Sequence, residues 1–203
     1  MKIYNHPLAP NPRRVRVFVA EKGLKIPYED IDLLNDQQHR PEFLAKNPAG
    51  GVPVLELDDG DHLAESVAIC RYLEGLHPEP NLFGKDNREQ AFVEQWNRRM
   101  ELNFFAPLGA AFQHTNPMFA QRLKQIPEYG AAQLARAEAQ MEWIDRQLEG
   151  REFMAGPRYT VADITALVAT DFGVAMAGLK LNPACKNFVR WHQAVSSRPS
   201  AKA

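Results

Sequence analysis

Two adjacent polar residues, Glu65 and Ser66, open a predicted helix, and a helix start is a place where a chain can bind charge. The first backbone N–H groups of a helix have no partner within it, and with the positive end of the helix dipole they attract a carboxylate. The hydroxyl and N–H of Ser66 suit such a carboxylate, and Glu65 suits an ammonium group. The alternative is a plain helix start, with Ser66 near the N-cap beside an acidic residue.

Asn11 is a second polar residue at a predicted helix start. It directly precedes Pro12, and proline favours the first position of a helix. We therefore predict that Asn11 is the N-cap of a helix that ends at the stop signal Gly23. Its side-chain oxygen would cap the helix while its amide nitrogen donates a hydrogen bond to a bound atom. A purely capping role is the alternative.

The composition excludes several classes of function. The chain has 203 residues, a formal net charge of −1 and 45% hydrophobic residues, so nucleic acid and anionic membrane surfaces are not expected partners. Cys70 and Cys185 form no C-x-x-C pair, and the six histidines lack ligand spacing, which argues against a disulfide framework and against a metal site. Without a signal-peptide pattern or a membrane-length apolar run, we expect a soluble, cytoplasmic protein.

The candidate residues need a mixed scaffold of strands and helices to position them, and residues 1–77 have that pattern. Strands and helices are predicted in the order 1–5, 12–22, 28–33, 41–46, 52–57 and 65–76. The run Asp58-Asp59-Gly60-Asp61 predicts a hairpin turn after the last strand.

Strand patterns almost vanish after residues 78–85, a segment with prolines and a glycine that we interpret as a linker. The helices predicted beyond it run over about 87–112, with a break near Pro107 and Gly109, and then over 133–148, 161–176 and 187–196. We therefore predict an α+β domain over 1–77 and an all-α domain over 86–203.

Five motifs, in register along the chain, resemble the glutathione transferases. They are N-P-A-G-G-V-P at Asn47–Pro53, E-S-V-A-I at Glu65–Ile69, Y-T-V-A-D-I at Tyr159–Ile164, A-P-N-P-R-R-V-R-V at Ala9–Val17 and P-E-F-L-A-K-N-P at Pro41–Pro48. The sequence is most similar to the phi, theta and nu classes and their bacterial relatives. The resemblance implies the glutathione transferase fold: a thioredoxin-like N-terminal domain that binds glutathione, followed by an all-α helical C-terminal domain for the electrophile and for dimerisation.

The resemblance also assigns roles in the first domain. In this family the peptide bond before the strand-opening proline is cis, so we expect a cis bond between Val52 and Pro53 and a backbone contact from Val52 to the middle of glutathione. Glu65 and Ser66 would then bind the ammonium and the carboxylate of the γ-glutamyl end.

Thr160 and Asp163 have the S/T-x-x-D spacing of a capping box, with Tyr159 and Ile164 placed as a hydrophobic staple. This motif is expected to nucleate a buried helix. It should contact no ligand.

Family members activate the glutathione thiol, whose free pKa is about 8.5, with a hydrogen bond at the start of the first helix. The phi class uses a serine, and here Ala9 takes its place and has no donor. In an alignment with the theta class, the position of the serine falls near Pro10, which also has no hydrogen-bond donor. Asn11 is therefore the catalytic candidate. Tyr4 in the first strand and the backbone N–H groups of the helix remain alternatives.

Gln38 and His39 fall where relatives contact the glycine carboxylate of glutathione, although a polar loop would have the same composition. Gly51 replaces a side-chain donor found in some relatives. Three arginines of the first helix are predicted to be surface, salt-bridge or dimer-contact residues: Arg13, Arg14 and Arg16.

The electrophile pocket is expected to combine the first loop with the first long helix of the second domain. Its candidate residues are Leu8, Ala9, Phe105, Leu108 and Phe112, although aromatic residues at helical spacing also fit a core. In the family a polar residue of that helix can reach the γ-glutamyl group in the partner subunit. Glu101 and Asn103 are the candidates here.

We therefore predict a homodimeric detoxification enzyme that conjugates the glutathione thiolate to small hydrophobic electrophiles. Glutathione would be its co-substrate, with no metal and no further cofactor. The missing serine hydroxyl leaves two alternatives open: a glutathione-dependent disulfide reductase or peroxidase of nu-like type, and a non-catalytic glutathione-binding protein.

Overall fold

The computed structural model describes all residues from Met1 to Ala203 and divides them into two units. The first unit contains Met1–Leu82 and Lys202–Ala203, and the second contains Phe83–Ala201. The division at Leu82 falls within the predicted linker 78–85. The predicted domain limits of 1–77 and 86–203 stay a prediction.

A four-stranded sheet with the order β2-β1-β3-β4 forms the centre of the first unit. Its strands are β1 (Lys2–Asn5), β2 (Tyr28–Asp30), β3 (Val54–Glu56) and β4 (His62–Ala64). β2 runs parallel to β1, whereas β3 is antiparallel to both β1 and β4. This confirms the predicted α+β, thioredoxin-like arrangement, and the β3–β4 hairpin turns at the predicted Asp58–Asp61 segment, where Gly60 has a φ of +92°.

Three helices accompany the sheet: α1 (Pro10–Glu21), α2 (Pro41–Leu44) and α3 (Ser66–Leu76). Helix α1 begins earlier than predicted, and its N-cap is Ala9 rather than Asn11. Pro10 occupies the first helical position, where a missing N–H costs nothing, so the second proline two residues later is simply part of the first turn. No side chain caps this helix.

A buried ammonium group ties the end of the first unit to its helices. The Lys22 Nζ, whose side chain has 0% exposure, donates to the carbonyl oxygens of His77 at 2.8 Å and Pro80 at 2.6 Å, and it pairs with Glu74 at 2.5 Å. The other Glu74 oxygen accepts the Leu82 N–H at 2.9 Å. Residues 77–82 are therefore fixed to α1 and α3.

The regular elements of the second unit are all helices. Its helices are α4 (Asn87–Arg99), α5 (Ala106–Thr115), α6 (Pro127–Gln147), α7 (Val161–Phe172) and α8 (Lys186–Ser196). The irregular segment of the first long helix is a π turn over Met100–Phe105, and not a break at Pro107 and Gly109 as predicted. Pro107 cannot donate a helical hydrogen bond, so the turn before it absorbs the irregularity while the proline lies in the first turn of α5.

The predicted capping box at the start of α7 is confirmed. The fully buried Asp163 accepts from the N–H and hydroxyl of Thr160, from the Met154 N–H and from the Trp191 Nε1, at distances of 2.9 to 3.1 Å. Burial raises the pKa of the Asp163 carboxyl to about 6, and these hydrogen bonds oppose the shift. None of the helices has the length and apolar composition needed to cross a bilayer.

Candidate active site

The loop from β1 to α1 presents Asn11 in an unusual first turn. Asn11 is exposed and is flanked by Pro10 and Pro12, which have no N–H, while the Arg13 N–H already donates to the Ala9 carbonyl at 3.2 Å. Asn11 therefore supplies the one unengaged backbone N–H of this turn as well as a side-chain amide. Both donors lie at the positive end of the helix dipole, where an anion is stabilised.

The guanidinium of Arg16 is bonded to the inside of this loop. Its Nη1 donates to the Asn5 side-chain oxygen at 2.7 Å and to the His6 carbonyl at 3.1 Å, and its Nη2 donates to the Pro7 carbonyl at 2.8 Å. Arg16 was predicted to be a surface, salt-bridge or dimer-contact residue, and its bonds to two main-chain carbonyls could not be read from residue types. Its position two turns into α1, facing back towards the loop, was the available signal.

Tyr4, the alternative thiol-stabilising residue, is occupied elsewhere. Its ring is 3% exposed, and its hydroxyl donates to Glu56 on the adjacent strand β3. The Lys2 Nζ lies 4.6 Å from the ring centroid. This hydroxyl therefore stabilises the start of the sheet, and its hydrogen bond lowers the pKa of Glu56.

Ser66 is the first residue of α3 and is only 5% exposed. Its Oγ accepts a hydrogen bond from the Arg14 Nη1 at 2.8 Å, which leaves the hydroxyl proton and the backbone N–H as donors. Arg14 was predicted to be a surface, salt-bridge or dimer-contact residue, and at 1% exposure it is not a surface residue. A buried guanidinium needs polar acceptors, and the start of α3 supplies one. The arrangement adds positive charge to a helix N-terminus.

Glu65 precedes Ser66 with a backbone φ of +68° and ψ of 113°. A residue with a Cβ rarely adopts this region, and such conformations cost about 1–3 kcal/mol and concentrate at functional sites. The side chain is exposed, so its carboxylate is accessible to a ligand. Position 65 therefore combines a conformation suited to glycine with a charged side chain.

The peptide bond between Val52 and Pro53 is cis, as predicted. The loop before it is organised by Asn47, whose Nδ2 donates to the Gly51 carbonyl at 2.8 Å and whose Oδ1 accepts the Ala49 N–H at 3.2 Å. In the sequence, Asn47 stands out only as part of the N-P-A-G-G-V-P motif. The local spacing of Asn before Pro and Gly was the signal for such a turn.

Gln38 and His39 lie beside this loop. A Cβ built on Gly50, which has a φ of +64°, would fall 2.8 Å from the His39 Cδ2, so the imidazole packs directly against the glycine backbone. The Gln38 Nε2 contacts the His39 Nδ1 and the Asp36 Oδ1, both at 3.3 Å. The structure thus brings the two predicted glycine-end residues to the 47–51 loop, and their role stays a prediction.

The candidate pocket residues differ in exposure between the two units. In the first unit Leu8 is 85% exposed and Ala9 is partly exposed. In the second unit Phe105, Leu108 and Phe112 are all buried, and both phenylalanines meet the Phe172 ring edge-on, at 5.9 and 5.4 Å. Their proposed contact with an electrophile remains a prediction.

Possible metal-ligating side chains do not cluster in this structure, and Cys70 lies in the core. No three His, Cys, Asp or Glu side chains converge on a possible ion. Cys70 is completely buried, and burial raises its thiol pKa to about 12, so its thiolate is scarce at neutral pH.

Comparisons with known proteins cover the chain almost from end to end. The family models for the N-terminal and the C-terminal domain of glutathione S-transferases match residues 3–81 and 97–199. Glutathione S-transferase 2 of Saccharomyces cerevisiae is 36% identical over all of this chain and 88% of its own length, and Glutathione S-transferase F12 of Arabidopsis thaliana is 31% identical over all of this chain and 95% of its own. The crystal structure of Gtt2 from S. cerevisiae superposes with a TM-score of 0.93 at 36% identity, covering 100% of this chain and 99% of that one.

Proposed function

The chain belongs to the glutathione S-transferase family, an enzyme family, and on that premise we propose that it conjugates the glutathione thiolate to small hydrophobic electrophiles. The observation that carries the proposal is the start of α3, where Arg14, Ser66 and Glu65 come together. This arrangement offers positive charge and hydroxyl and N–H donors to a carboxylate, and an exposed carboxylate to an ammonium group. The γ-glutamyl end of glutathione carries both.

The rest of the peptide would extend along the 47–53 segment. The backbone of Val52 would pair with the middle of glutathione, and Pro53 would fix the direction of that backbone. His39 and Gln38 would bind the glycine carboxylate, because Gly51 has no side chain for it. The imidazole lies against Gly50, which supports this assignment.

The sulfur would lie at the start of α1. With Ala9 in the place of a serine, the thiolate would be stabilised by the amide of Asn11, by its backbone N–H and by the helix dipole. A hydrogen bond to the charged form of a group favours that form, so these donors lower the thiol pKa. The bound thiolate would then attack a carbon of a hydrophobic electrophile and form a C–S bond as a leaving group departs or a double bond opens. Leu8 and Ala9 are the candidate electrophile contacts in the first unit, and Phe105, Leu108 and Phe112 are those in the second.

A second candidate is glutathione-dependent disulfide or peroxide reduction. The observation that favours it is the donor set at α1, which has amide groups and no hydroxyl. A third candidate is a glutathione-binding protein without catalysis. Assays with halogenated aromatic, mixed-disulfide and peroxide substrates, run on one preparation, distinguish the three. Glutathione binding without turnover of any substrate would leave the third.

We also propose a cytoplasmic homodimer with a role in detoxification. The second unit has a groove of about 840 Å³ whose lining is mostly polar and includes Phe92 and Trp96 of α4. Phe92 in this groove and Leu102 outside its lining are 42% and 50% exposed. Exposed apolar side chains of this kind support burial by a second copy. Glu101 and Asn103, the candidates for reaching a partner's glutathione, are bonded to Arg98 at 2.5 Å and to Arg136 at 3.3 Å in the single chain.

Sedimentation at micromolar concentration tests the dimer, and a mass near 22.9 kDa would refute it.

A further inference from the structure

The β1–α1 loop has few restraints of its own. Pro7 and Leu8 are exposed, and the contacts within the loop are the Ala9 N–H to the His6 carbonyl and the Leu8 N–H to the His6 Nδ1, both at the long distance of 3.3 Å. The two bonds from Arg16 to the carbonyls of His6 and Pro7 are shorter and come from a charged donor, which strengthens them. Arg16 is thus the main restraint on the loop.

The same guanidinium is also anchored to the sheet, because the Nη1 that donates to the His6 carbonyl donates to β1 as well. It donates to Asn5, the last residue of β1, and the Asn5 Nδ2 donates in turn to the Asp30 Oδ1 of β2 at 2.6 Å. The Asn5 carbonyl also accepts the Ile31 N–H at 2.8 Å. Because a guanidinium is planar and its donors point in fixed directions, Arg16 holds the loop at a defined position relative to the ends of β1 and β2.

The loop continues into Asn11 through a stiff connection. Pro10 and Pro12 have fixed φ angles, so the chain from Ala9 to the first turn of α1 has little freedom to compensate for a shift of the loop. We propose that Arg16 is a positioning residue for Asn11, which it holds at the place of the glutathione sulfur. This inference rests on the proposed function, since it needs a thiolate at the start of α1.

Arg16 also contributes charge. Its pKa is lowered by burial and raised by the nearby Asp30, and the guanidinium remains charged at neutral pH. A positive charge beside a helix N-terminus favours a bound anion. Geometry and charge are separated by comparing Arg16→Gln, which removes both, with Arg16→Lys, which keeps the charge without the planar fork.

The experiment measures the apparent pKa of the bound glutathione thiol from thiolate absorbance, together with kcat and the glutathione Kd. Arg16→Gln should raise that pKa and lower kcat by about tenfold, because small displacements of a stabilising group are costly, while Kd changes by less than about threefold. Arg16→Lys should be intermediate, and it serves as the main variant if the glutamine form does not fold. Lys25→Gln, an exposed cation in the same unit, is the matched control and should behave as wild type.

Two further measurements test the route through Asn11. In an Asn11→Ala background, Arg16→Gln should have little additional effect on kcat, because the side chain that Arg16 positions is already absent. Amide hydrogen exchange at Leu8 and Ala9 should accelerate severalfold in Arg16→Gln without glutathione. Additive effects of the two substitutions, or unchanged exchange, would overturn the inference. A wild-type protein that gives no thiolate signal would overturn the proposed function itself and this inference with it.

Discussion

The Nη1 of Arg14 lies 2.8 Å from the Oγ of Ser66, so two residues separated by 52 positions in the sequence share one buried hydrogen bond at the start of α3. The bond occupies one lone pair of the serine oxygen and leaves the hydroxyl proton to donate to another group. It also explains why a guanidinium with 1% exposure is tolerated there.

Ser66→Ala should weaken glutathione binding at least severalfold. The reason is the loss of a charge-assisted hydrogen bond to the γ-glutamyl carboxylate, worth about 1.5–3 kcal/mol. The unfolding free energy should fall as well, because Arg14 loses an acceptor. Calorimetry gives the Kd and denaturant titration gives the stability. Ser197→Ala, at an exposed serine bonded only within its own helix end, is the control. Equal dissociation constants for wild type and Ser66→Ala would remove Ser66 from the site.

Asn11→Ala should raise the pKa of bound glutathione and lower kcat, with little change in affinity, because Glu65 and Ser66 still hold the γ-glutamyl end. Ala9 and not Asn11 is the N-cap, so stability should stay within about 0.5 kcal/mol. Asn11→Asp should be slower still, because a carboxylate repels the thiolate. Thiolate absorbance against pH measures the effect, and Asn87→Ala at the exposed start of α4 is the control. Titration curves that coincide for all variants would leave the backbone and dipole as the source of activation.

Glu65→Gly and Glu65→Ala should separate backbone conformation from charge. Both lose the carboxylate, so both should weaken glutathione binding by a similar factor. Only glycine relieves the φ of +68°, so the glycine variant should be more stable than the alanine variant by about 1–2 kcal/mol. Denaturant titrations of the two variants check this. An alanine variant of equal or greater stability would show that position 65 carries no strain.

The stability of the helical unit should depend on pH through Asp163. Its pKa in the folded state is about 6 against an ordinary 3.8, so the folded state binds the proton more tightly than the unfolded state. The contribution of this group to the unfolding free energy is therefore complete below about pH 4, declines as the pH rises to about 6 and is constant above that, with an upper limit of roughly 3 kcal/mol.

Asp163→Asn removes this titration, although it also disturbs the capping box. The difference in unfolding free energy between wild type and the variant should therefore change between pH 4 and 6. The unfolding free energy of the wild type should fall relative to that of the variant as the pH rises. A difference that is flat across this range would show that Asp163 keeps an ordinary pKa.

Features fixed by local sequence could be predicted, and features fixed by distant partners could not. The capping box of Thr160 and Asp163 follows from a motif of a few residues, whereas the cis bond before Pro53 was implied by the family resemblance. The burial of Arg14 could not be predicted, because its acceptor, Ser66, is brought to it only by the packing of α1 near α3. The N-cap error at Asn11 arose because Pro10 and Pro12 both satisfy the preference for proline in a first turn.

The contacts of Lys22 determine where this protein can be cut. A fragment that ends at residue 77 would discard the Pro80 carbonyl and the Leu82 N–H and leave a buried ammonium with fewer acceptors, whereas one that ends at residue 82 keeps them all. Expression of the first unit alone should therefore use the longer fragment. Residues 77–82, which connect the two units in sequence, therefore belong structurally to the end of the first unit.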